Sequence, residues 1–327
     1  MNEGFRYIDL FCGMGGFRSA IDALGGMCVY SSEIDPDCRE TYRRNFGEEP
    51  DGDLTKVNED SVPDHDLLCG GFPCQSFSIA GLKMGFKDPR GTLFFDILRI
   101  TRAKRPRTLL LENVKHFSKH DKGTTIETVG KSLESEGYQF SWSVLNAKDF
   151  GVPQNRERTI MVASREGRFD FSRVKTTKTI PRIADILDEE PAHILDPNDY
   201  TILPEEQWKR QTSGLLFVGH RNRACRKAGV REGTGHLSRS HKQPNRIYHV
   251  RGTHPTLPSQ ESAGRFWVYD GERVRRMSAR ECLRIQGFPD SHLIPDRESK
   301  AYRQIGNSVP PPMVRAVAEE MIRQGLA

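Results

Sequence analysis

One cysteine in a rigid turn is the first candidate for chemistry in this chain. Cys74 stands in Gly71-Phe-Pro-Cys-Gln75, just after the apolar run Asp66–Cys69 that predicts a buried strand. Doubly wound sheets bind ligands at the carboxyl ends of their strands. We therefore expect Cys74 to act in a crevice as a nucleophilic thiol, although a single cysteine is more often buried and inert.

A carboxylate and two arginines follow on later strands. Glu112 ends the strand predicted over Thr108–Glu112, so it reaches the same edge of the sheet, where it could also simply cap a turn. Arg156 and Arg158 stand two residues apart at the start of the last apolar run. In one continuous strand they would share a face and could lower the pKa of a nearby thiol or hold an anion.

A glycine-rich turn indicates a cofactor that contains a nucleoside. Gly13 and Gly15 lie in Phe11-Cys-Gly-Met-Gly-Gly16, between the first predicted strand and a helix, and Glu33 ends the second strand 20 residues after Gly13. A carboxylate at that place can accept hydrogen bonds from two ribose hydroxyls. Because Arg18 replaces the third glycine of the dinucleotide fingerprint, a nicotinamide dehydrogenase is disfavoured.

Alternating strands and helices must position these residues. The first 180 residues carry apolar runs typical of strands, separated by segments with helical spacing, which predicts a doubly wound, mostly parallel α/β sheet. Strands are predicted at 6–11, 27–34, 66–69, 108–112, 140–146 and 158–163, and helices at 17–24, 93–103, 125–136, 278–286 and 311–324. We expect a catalytic domain over 1–180, a basic domain over 181–272, and a segment 273–327 that returns to the first domain.

Charge is concentrated in one part of the chain. The whole chain has 49 Lys plus Arg and 44 Asp plus Glu, but the stretch 207–251 contains eleven Lys or Arg, four His and one acidic residue. Interleaved Asn, Gln, Ser and Thr can reach phosphates and base edges, which favours nucleic acid as partner over a solvated face. Seven cysteines without a C-x-x-C pair argue against disulfides and zinc, so we expect no metal site. Without an apolar run of ~18 residues, we expect a cytoplasmic protein with no membrane association.

Six segments, in this order, resemble the cytosine-C5 DNA methyltransferases, in particular the small single-chain enzymes of bacterial restriction-modification systems. The segments are Asp9–Gly16, Gly71–Gln75, Glu112–Val114, Gln154–Arg158, Arg275–Asp290 and Gln304–Val309. The resemblance implies a Rossmann-like, seven-stranded sheet with a small DNA-recognition domain. It also implies S-adenosyl-L-methionine as cofactor, double-stranded DNA as partner, a monomer, and a cognate restriction endonuclease that acts separately.

The family's mechanism assigns roles to the catalytic candidates. The thiolate of Cys74 would add to carbon 6 of a flipped-out cytosine and make carbon 5 nucleophilic. Glu112 would protonate or hydrogen-bond N3, Arg158 would hold the O2 carbonyl, and Arg156 would brace Glu112 or the backbone. The base that removes the C5 proton is not identified, and water is one candidate.

The resemblance also implies a set of cofactor residues. Phe11 would stack near the adenine, Glu33 would bind the ribose, Asp53 would reach the adenine amino group, and Asn307 with Ser308 would close the methionine end. Ile34 stands where many relatives have an aromatic residue beside the adenine. The remaining cofactor candidates are Gly13, Gly15 and Pro73.

DNA contacts are expected in two places. Residues 76–92, with Ser78, Lys83 and Arg90, suit a loop that closes over phosphates, although an ordinary surface loop would look similar. Gln243, Arg246 and Arg251 resemble the part of the recognition domain that enters the major groove, where arginine reads guanine and glutamine reads adenine.

Four alternatives compete with this interpretation. The tRNA-methylating branch of the same family usually carries a Cys-Phe-Thr tripeptide, which is not found here. Inactive DNA-binding relatives typically lose the cysteine or the cofactor loop, and both are present. Amino-group methyltransferases need Asn or Asp before Pro-Pro-aromatic, whereas Val309 precedes three prolines and Met313 follows. The fourth alternative is a nicotinamide dehydrogenase. It is disfavoured because this chain has Arg18 in place of the third glycine of the dinucleotide fingerprint.

Overall fold

A computed structural model describes residues 4–72, 93–222, 245–259 and 266–327 of the 327-residue chain. The chain divides into two compact units. The first comprises 1–150, 157–177 and 308–327, and the second comprises 151–156 and 178–307. This division differs from the predicted bounds in two ways: a short segment before residue 157 joins the second unit, and only 308–327 returns to the first.

Six strands of the first unit form one sheet in the order β2-β1-β3-β4-β7-β5. These strands are β1 (Arg6–Leu10), β2 (Met27–Ser32), β3 (Leu67–Gly71), β4 (Thr108–Val114), β5 (Gln139–Asn146) and β7 (Glu157–Ser164). The helices of this unit are α1 (Gly16–Ile21), α2 (Pro36–Phe46), α3 (Leu93–Lys104), α4 (Thr124–Glu134) and α7 (Pro311–Arg323). The described residues thus supply six of the seven strands expected.

Strand direction agrees with a mostly parallel sheet. β1 pairs in parallel with β2 and β3, and β3 with β4, while β7 runs antiparallel to both β4 and β5. Because neighbouring side chains of a strand point to opposite faces, Leu109 and Leu111 pack with α3 and α4, and Leu110 packs with α1 and α7. Helices therefore cover both faces, and the predicted doubly wound architecture is confirmed.

Short strands dominate the second unit. A seven-stranded sheet has the order β10-β11-β12-β14-β15-β8, with β9 paired to β11, and β6 pairs with β13 in a separate ladder. The strands are β6 (Gln154–Asn155), β8 (His193–Ile194), β9 (Tyr200–Ile202), β10 (Lys209–Arg210), β11 (Leu216–Arg221), β12 (Arg246–His249), β13 (His254–Pro255), β14 (Trp267–Tyr269) and β15 (Val274–Arg276). Two helices, α5 (Ala279–Gln286) and α6 (Glu298–Asn307), complete it.

The described ranges contain no helix with the length and apolar character needed to cross a membrane.

Candidate active site

Glu112 and Arg158 form an ion pair near the carboxyl end of β4. Arg158 Nε lies 2.8 Å from Glu112 Oε1, and the two side chains are only 10% and 15% exposed. Arg158 also donates to the carbonyl oxygen of Glu157 at 2.8 Å. Burial lowers the pKa of Arg158 from its ordinary value and Glu112 opposes this shift, so the guanidinium stays charged. The result is a carboxylate and a guanidinium fixed together with little access to water.

The end of β3 lies directly beside this pair. Gly71 is opposite Glu112 in the parallel register, and a Cβ built at Gly71 would lie 3.4 Å from Glu112 Oε2. Asn113 Nδ2 donates to the carbonyl oxygen of Phe72 at 2.9 Å, which ties the ends of β3 and β4 together. Pro73 and Cys74 lie outside the described residues, but the chain that continues to Cys74 leaves the sheet next to Glu112 Oε2.

Arg156 has different partners from Arg158. Its side chain is 1% exposed and donates to the carbonyl oxygens of Leu257 (3.3 Å) and Gly306 (2.8 Å), all within the second unit. These contacts fit the second of the two roles expected for Arg156, bracing the backbone. The expectation that both arginines share one face of a strand is wrong, because β6 ends at Asn155 and β7 begins at Glu157.

Gln154 is a residue that the sequence reasoning missed. It is fully buried, its Oε1 accepts from the Leu257 backbone at 2.9 Å, and its Nε2 donates to Gln286 Oε1 at 3.0 Å. Gln286 in turn donates to the carbonyl oxygen of Ile305 at 2.6 Å. This amide chain secures β6 within the second unit. The sequence signal that could have identified Gln154 is its place as the polar first residue of the segment Gln154–Arg158.

Gly13 and Glu33 are in direct contact. The backbone N–H of Gly13 donates to Glu33 Oε2 at 2.9 Å, and that of Asp35 donates to Oε1 at 2.9 Å. Burial raises the pKa of Glu33 above its ordinary value, while these hydrogen bonds oppose the shift. Ile34 supplies a further backbone hydrogen bond to this carboxylate, which still has capacity to accept from a ligand hydroxyl.

Close packing requires glycine in this turn. Gly15 has φ +92°, and a Cβ built there would lie 2.2 Å from the ring of Phe46; at Gly16 a Cβ would lie 2.8 Å from Ser308 Oγ. Ser308 therefore lies against the turn. Phe11 adopts a left-handed φ of 56°, a conformation that is strained for an aromatic residue and frequent at ligand sites.

The other cofactor candidates have varied surroundings. Ile34 is 70% exposed, an unusual degree for isoleucine, and directly follows Glu33. Asp53 Oδ1 accepts from the hydroxyl (2.8 Å) and backbone N–H (3.1 Å) of Thr55, and these bonds lower the pKa of Asp53. Asn307 is the exposed last residue of α6 in the second unit.

Two of the expected DNA contacts lie in the second unit. The guanidinium of Arg246 is 5.9 Å from the ring centroid of Phe217. Arg251 is exposed, and its backbone N–H donates to Nδ1 of buried His249 at 3.1 Å. Burial lowers the pKa of His249, which favours the neutral ring that this bond requires. Ser78, Lys83, Arg90 and Gln243 lie outside the described residues.

Known proteins resemble this chain over nearly its full length. The family model for the C-5 cytosine-specific DNA methylases matches residues 5–323. The chain belongs to this family. It is 43% identical over 317 residues to the Type II methyltransferase M.HhaI of Haemophilus parahaemolyticus. This match covers 94% of this chain and 90% of the relative. It is 40% identical to the Type II methyltransferase M.DsaV of Dactylococcopsis salina, with 97% and 86% coverage.

Solved structures show the same fold. The Dnmt2 methyltransferase of S. pombe has a TM-score of 0.69 at 20% identity and covers 98% of this chain and 99% of its own. A prophage-encoded putative DNA modification methyltransferase from E. coli has the same TM-score and identity. Family membership makes this methylase a DNA (cytosine-5-)-methyltransferase and confirms the enzyme class predicted from the six segments.

Proposed function

We propose that this methylase transfers a methyl group from S-adenosyl-L-methionine to carbon 5 of a cytosine flipped out of a specific duplex DNA sequence, and so protects that DNA in a restriction-modification system. The Glu112–Arg158 pair beside the chain that leads to Cys74 carries the proposal. Relatives named as Type II methyltransferases support the biological setting.

Cytosine C5 is a poor nucleophile, so the ring has to be activated first. The Cys74 thiolate forms a bond to C6, and the electron pair of the C5–C6 double bond moves toward N3 and O2. Carbon 5 would then take up the methyl group, whose bond to the cofactor sulfur breaks with the electron pair left on that sulfur as a neutral thioether. A base finally removes the C5 proton, the C5–C6 double bond re-forms, and the thiolate leaves. This order restores both the ring and the enzyme.

Glu112 and Arg158 have the geometry to stabilise the activated ring. Glu112 Oε1 faces Arg158 Nε, whereas Oε2 faces Gly71 at the end of β3. Oε2 is therefore the carboxylate oxygen nearer the chain that leads to Cys74, and we assign it the contact with N3 of the cytosine, as an acid or a hydrogen-bond partner. The cationic guanidinium of Arg158 stabilises negative charge that develops at O2. Arg156 donates to two backbone carbonyls of the second unit, which fits a bracing role.

The residues around the glycine turn fit S-adenosylmethionine. Glu33 retains capacity to accept from a ribose hydroxyl, and exposed Ile34 offers an apolar surface to the adenine. The absence of side chains at Gly13 and Gly15 lets the backbone approach the ligand closely. When bound, the cofactor supplies an electrophilic methyl group. Asp53, Asn307 and Ser308 keep the roles implied by the family resemblance, and Pro73 remains a cofactor candidate.

The central experiment changes the nucleophile. Cys74→Ser should abolish methyl transfer from labelled S-adenosylmethionine to DNA while its affinity for the cofactor stays within a few-fold, because the thiolate is no cofactor ligand. Cys38→Ser, on α2, is the matched control and should retain activity. DNA with 5-fluorocytosine at the target should form an adduct stable to denaturant, since fluorine cannot leave as a proton does. Turnover by Cys74→Ser would refute the mechanism.

Substrate class and target are tested together. Methylation-sensitive sequencing of DNA from cells that express the protein should show 5-methylcytosine within one short sequence. Purified protein should also transfer label to duplex DNA in preference to tRNA. Label in tRNA alone would instead support the tRNA-methylating branch, and cofactor binding without transfer to either would support an inactive DNA-binding relative.

A further inference from the structure

We propose that the segment Lys115–Gly123, which follows β4, is a phosphate-binding surface that holds the DNA backbone beside the target cytosine through Lys119 and Lys122. This inference rests on the proposed function, because it takes duplex DNA as the substrate. It adds a contact surface in the first unit to those expected in residues 76–92 and in the basic stretch 207–251.

The segment is anchored beside the catalytic pair. Phe117 is fully buried, and its ring meets that of Phe72 edge-on with centroids 5.5 Å apart. Thr159 Oγ1 donates to the carbonyl oxygen of Val114 at 3.2 Å, and Lys115 Nζ lies 2.7 Å from Glu157 Oε1. The root of the segment is thus fixed to the chain next to Cys74 on one side and to the start of β7, which carries Arg158, on the other.

Lys119 and Lys122 give the outer face its charge. Both are exposed, and in the described ranges neither forms an ion pair with a carboxylate. Asp121 is the one carboxylate within the segment, and Lys115 is already neutralised by Glu157. Exposed lysines without acidic partners form a positive surface that attracts phosphates.

The backbone gives this surface a defined shape. Lys115–Gly123 is a kinked 3-10 segment in which Asp121 (φ 47°) and Lys122 (φ 56°) adopt the left-handed conformation, before α4 begins at Thr124. Such residues persist where the surrounding structure determines the conformation. The backbone of Lys122 is therefore fixed by its surroundings, so the side chain starts from one defined point of this surface.

The position matches the substrate's own geometry. A target cytosine must lie at Glu112, and Lys119 follows Glu112 by seven residues. The path from Glu112 to Lys119 contains three residue steps along a strand and four along a 3-10 helix. The two Cα atoms are therefore at most roughly 20 Å apart. The phosphates that flank a flipped nucleotide lie within that reach. A Lys ammonium binds them as a point charge and without sequence preference.

The test compares two double variants that remove the same charge. Binding of a fluorescein-labelled duplex of about 30 base pairs and arbitrary sequence is measured by anisotropy between about 50 and 200 mM salt. For Lys119→Gln/Lys122→Gln we expect the slope of log K against log salt to become less negative by about 2, since each phosphate contact contributes about 0.9. Lys131→Gln/Lys175→Gln, which alters exposed lysines of the same unit, should leave the slope unchanged.

Lys119→Arg/Lys122→Arg should retain the wild-type slope, because the charge is kept. An unchanged slope for the glutamine pair, or an equal loss in both glutamine pairs, would overturn the inference. The inference would also be overturned if Lys119→Gln/Lys122→Gln bound tRNA more weakly than the wild type but bound the DNA duplex equally well. Failure of the proposed function would be seen separately, as wild-type protein that transfers no methyl group to DNA.

Discussion

Removal of Arg158 should destabilise the first unit, because it leaves a carboxylate behind with little water around it. The Glu112–Arg158 contact is 2.8 Å, with side chains 15% and 10% exposed, and Arg158 also bonds the Glu157 carbonyl at 2.8 Å. Breaking a fully buried pair by removing one partner costs about 3–5 kcal/mol. Since both side chains keep some contact with water, we expect about 2–3 kcal/mol for Arg158→Met.

Thermal unfolding in the absence of ligands measures this cost. At a change of about 2–4 °C in Tm per kcal/mol, Arg158→Met should lower Tm by roughly 4–12 °C. Arg315→Met is the control, since Arg315 forms an ion pair of similar length (3.0 Å) with Glu319 but the two side chains are 52% and 37% exposed. An exposed pair of this kind contributes less than about 1 kcal/mol, so this Tm should change little.

A double variant tests whether the two groups act together. Glu112→Gln/Arg158→Met removes both charges, so it should cost about 2 kcal/mol less than the sum of the two single variants. All three variants should lose methyl transfer by about 100-fold or more while their affinity for S-adenosylmethionine stays within a few-fold. Additive stability losses, or an Arg158→Met no less stable than Arg315→Met, would refute the reasoning.

Three further variants test the cofactor turn and the recognition residues. Glu33→Ala should raise the Kd for S-adenosylmethionine about tenfold or more, from loss of charged hydrogen bonds that contribute ~1.5–3 kcal/mol. Burial raises the pKa of Glu33, so this carboxylate takes up its proton at a higher pH than an ordinary one. The affinity of the wild-type protein for S-adenosylmethionine should therefore begin to fall at that higher pH as the solution is acidified. Calorimetry that shows the same affinity at every pH would contradict this. Gly15→Ala should destabilise the protein by about 2–4 kcal/mol through backbone strain and overlap with an aromatic ring of α2, whereas Gly47→Ala, with open space around it, should cost about 1 kcal/mol. Equal losses in urea unfolding would refute the overlap. Arg246→Ala should cost ~1–3 kcal/mol at the cognate site and relax preference at one base pair, whereas Lys227→Ala should weaken all sequences about equally. If Arg246→Ala lowers affinity for every single-base variant of the duplex in parallel, Arg246 is a phosphate contact.

The central strands of the sheet were predictable because they carry continuous apolar runs. Strands with neighbours on both sides and helices on both faces must be hydrophobic, and Leu109–Leu111 show this pattern without any periodicity of two. Gly13 and Glu33 were predictable as partners for a related reason. A turn after the first strand and a carboxylate after the second meet wherever those two strands are parallel neighbours.

Non-local pairing explains what the sequence did not show. Arg156 and Arg158 look like one face of a strand, but β6 pairs with β13, which begins at His254 about a hundred residues later and draws Gln154 and Arg156 away from β7. The bond from Asn113 to Phe72 likewise depends on which strands are neighbours. Two-residue strands such as Lys209–Arg210 are too short and too polar to show any pattern.

The path of the chain limits how a hybrid enzyme can be built. The chain passes from one unit to the other after residues 150, 156, 177 and 307, so the second unit is no single cassette. A graft of a relative's residues 178–307 alone would leave the host's Gln154 and Arg156 to bond with foreign equivalents of Leu257, Gln286 and Gly306. Exchange of the second unit between relatives should therefore succeed most often when residues 151–156 are transferred together with 178–307.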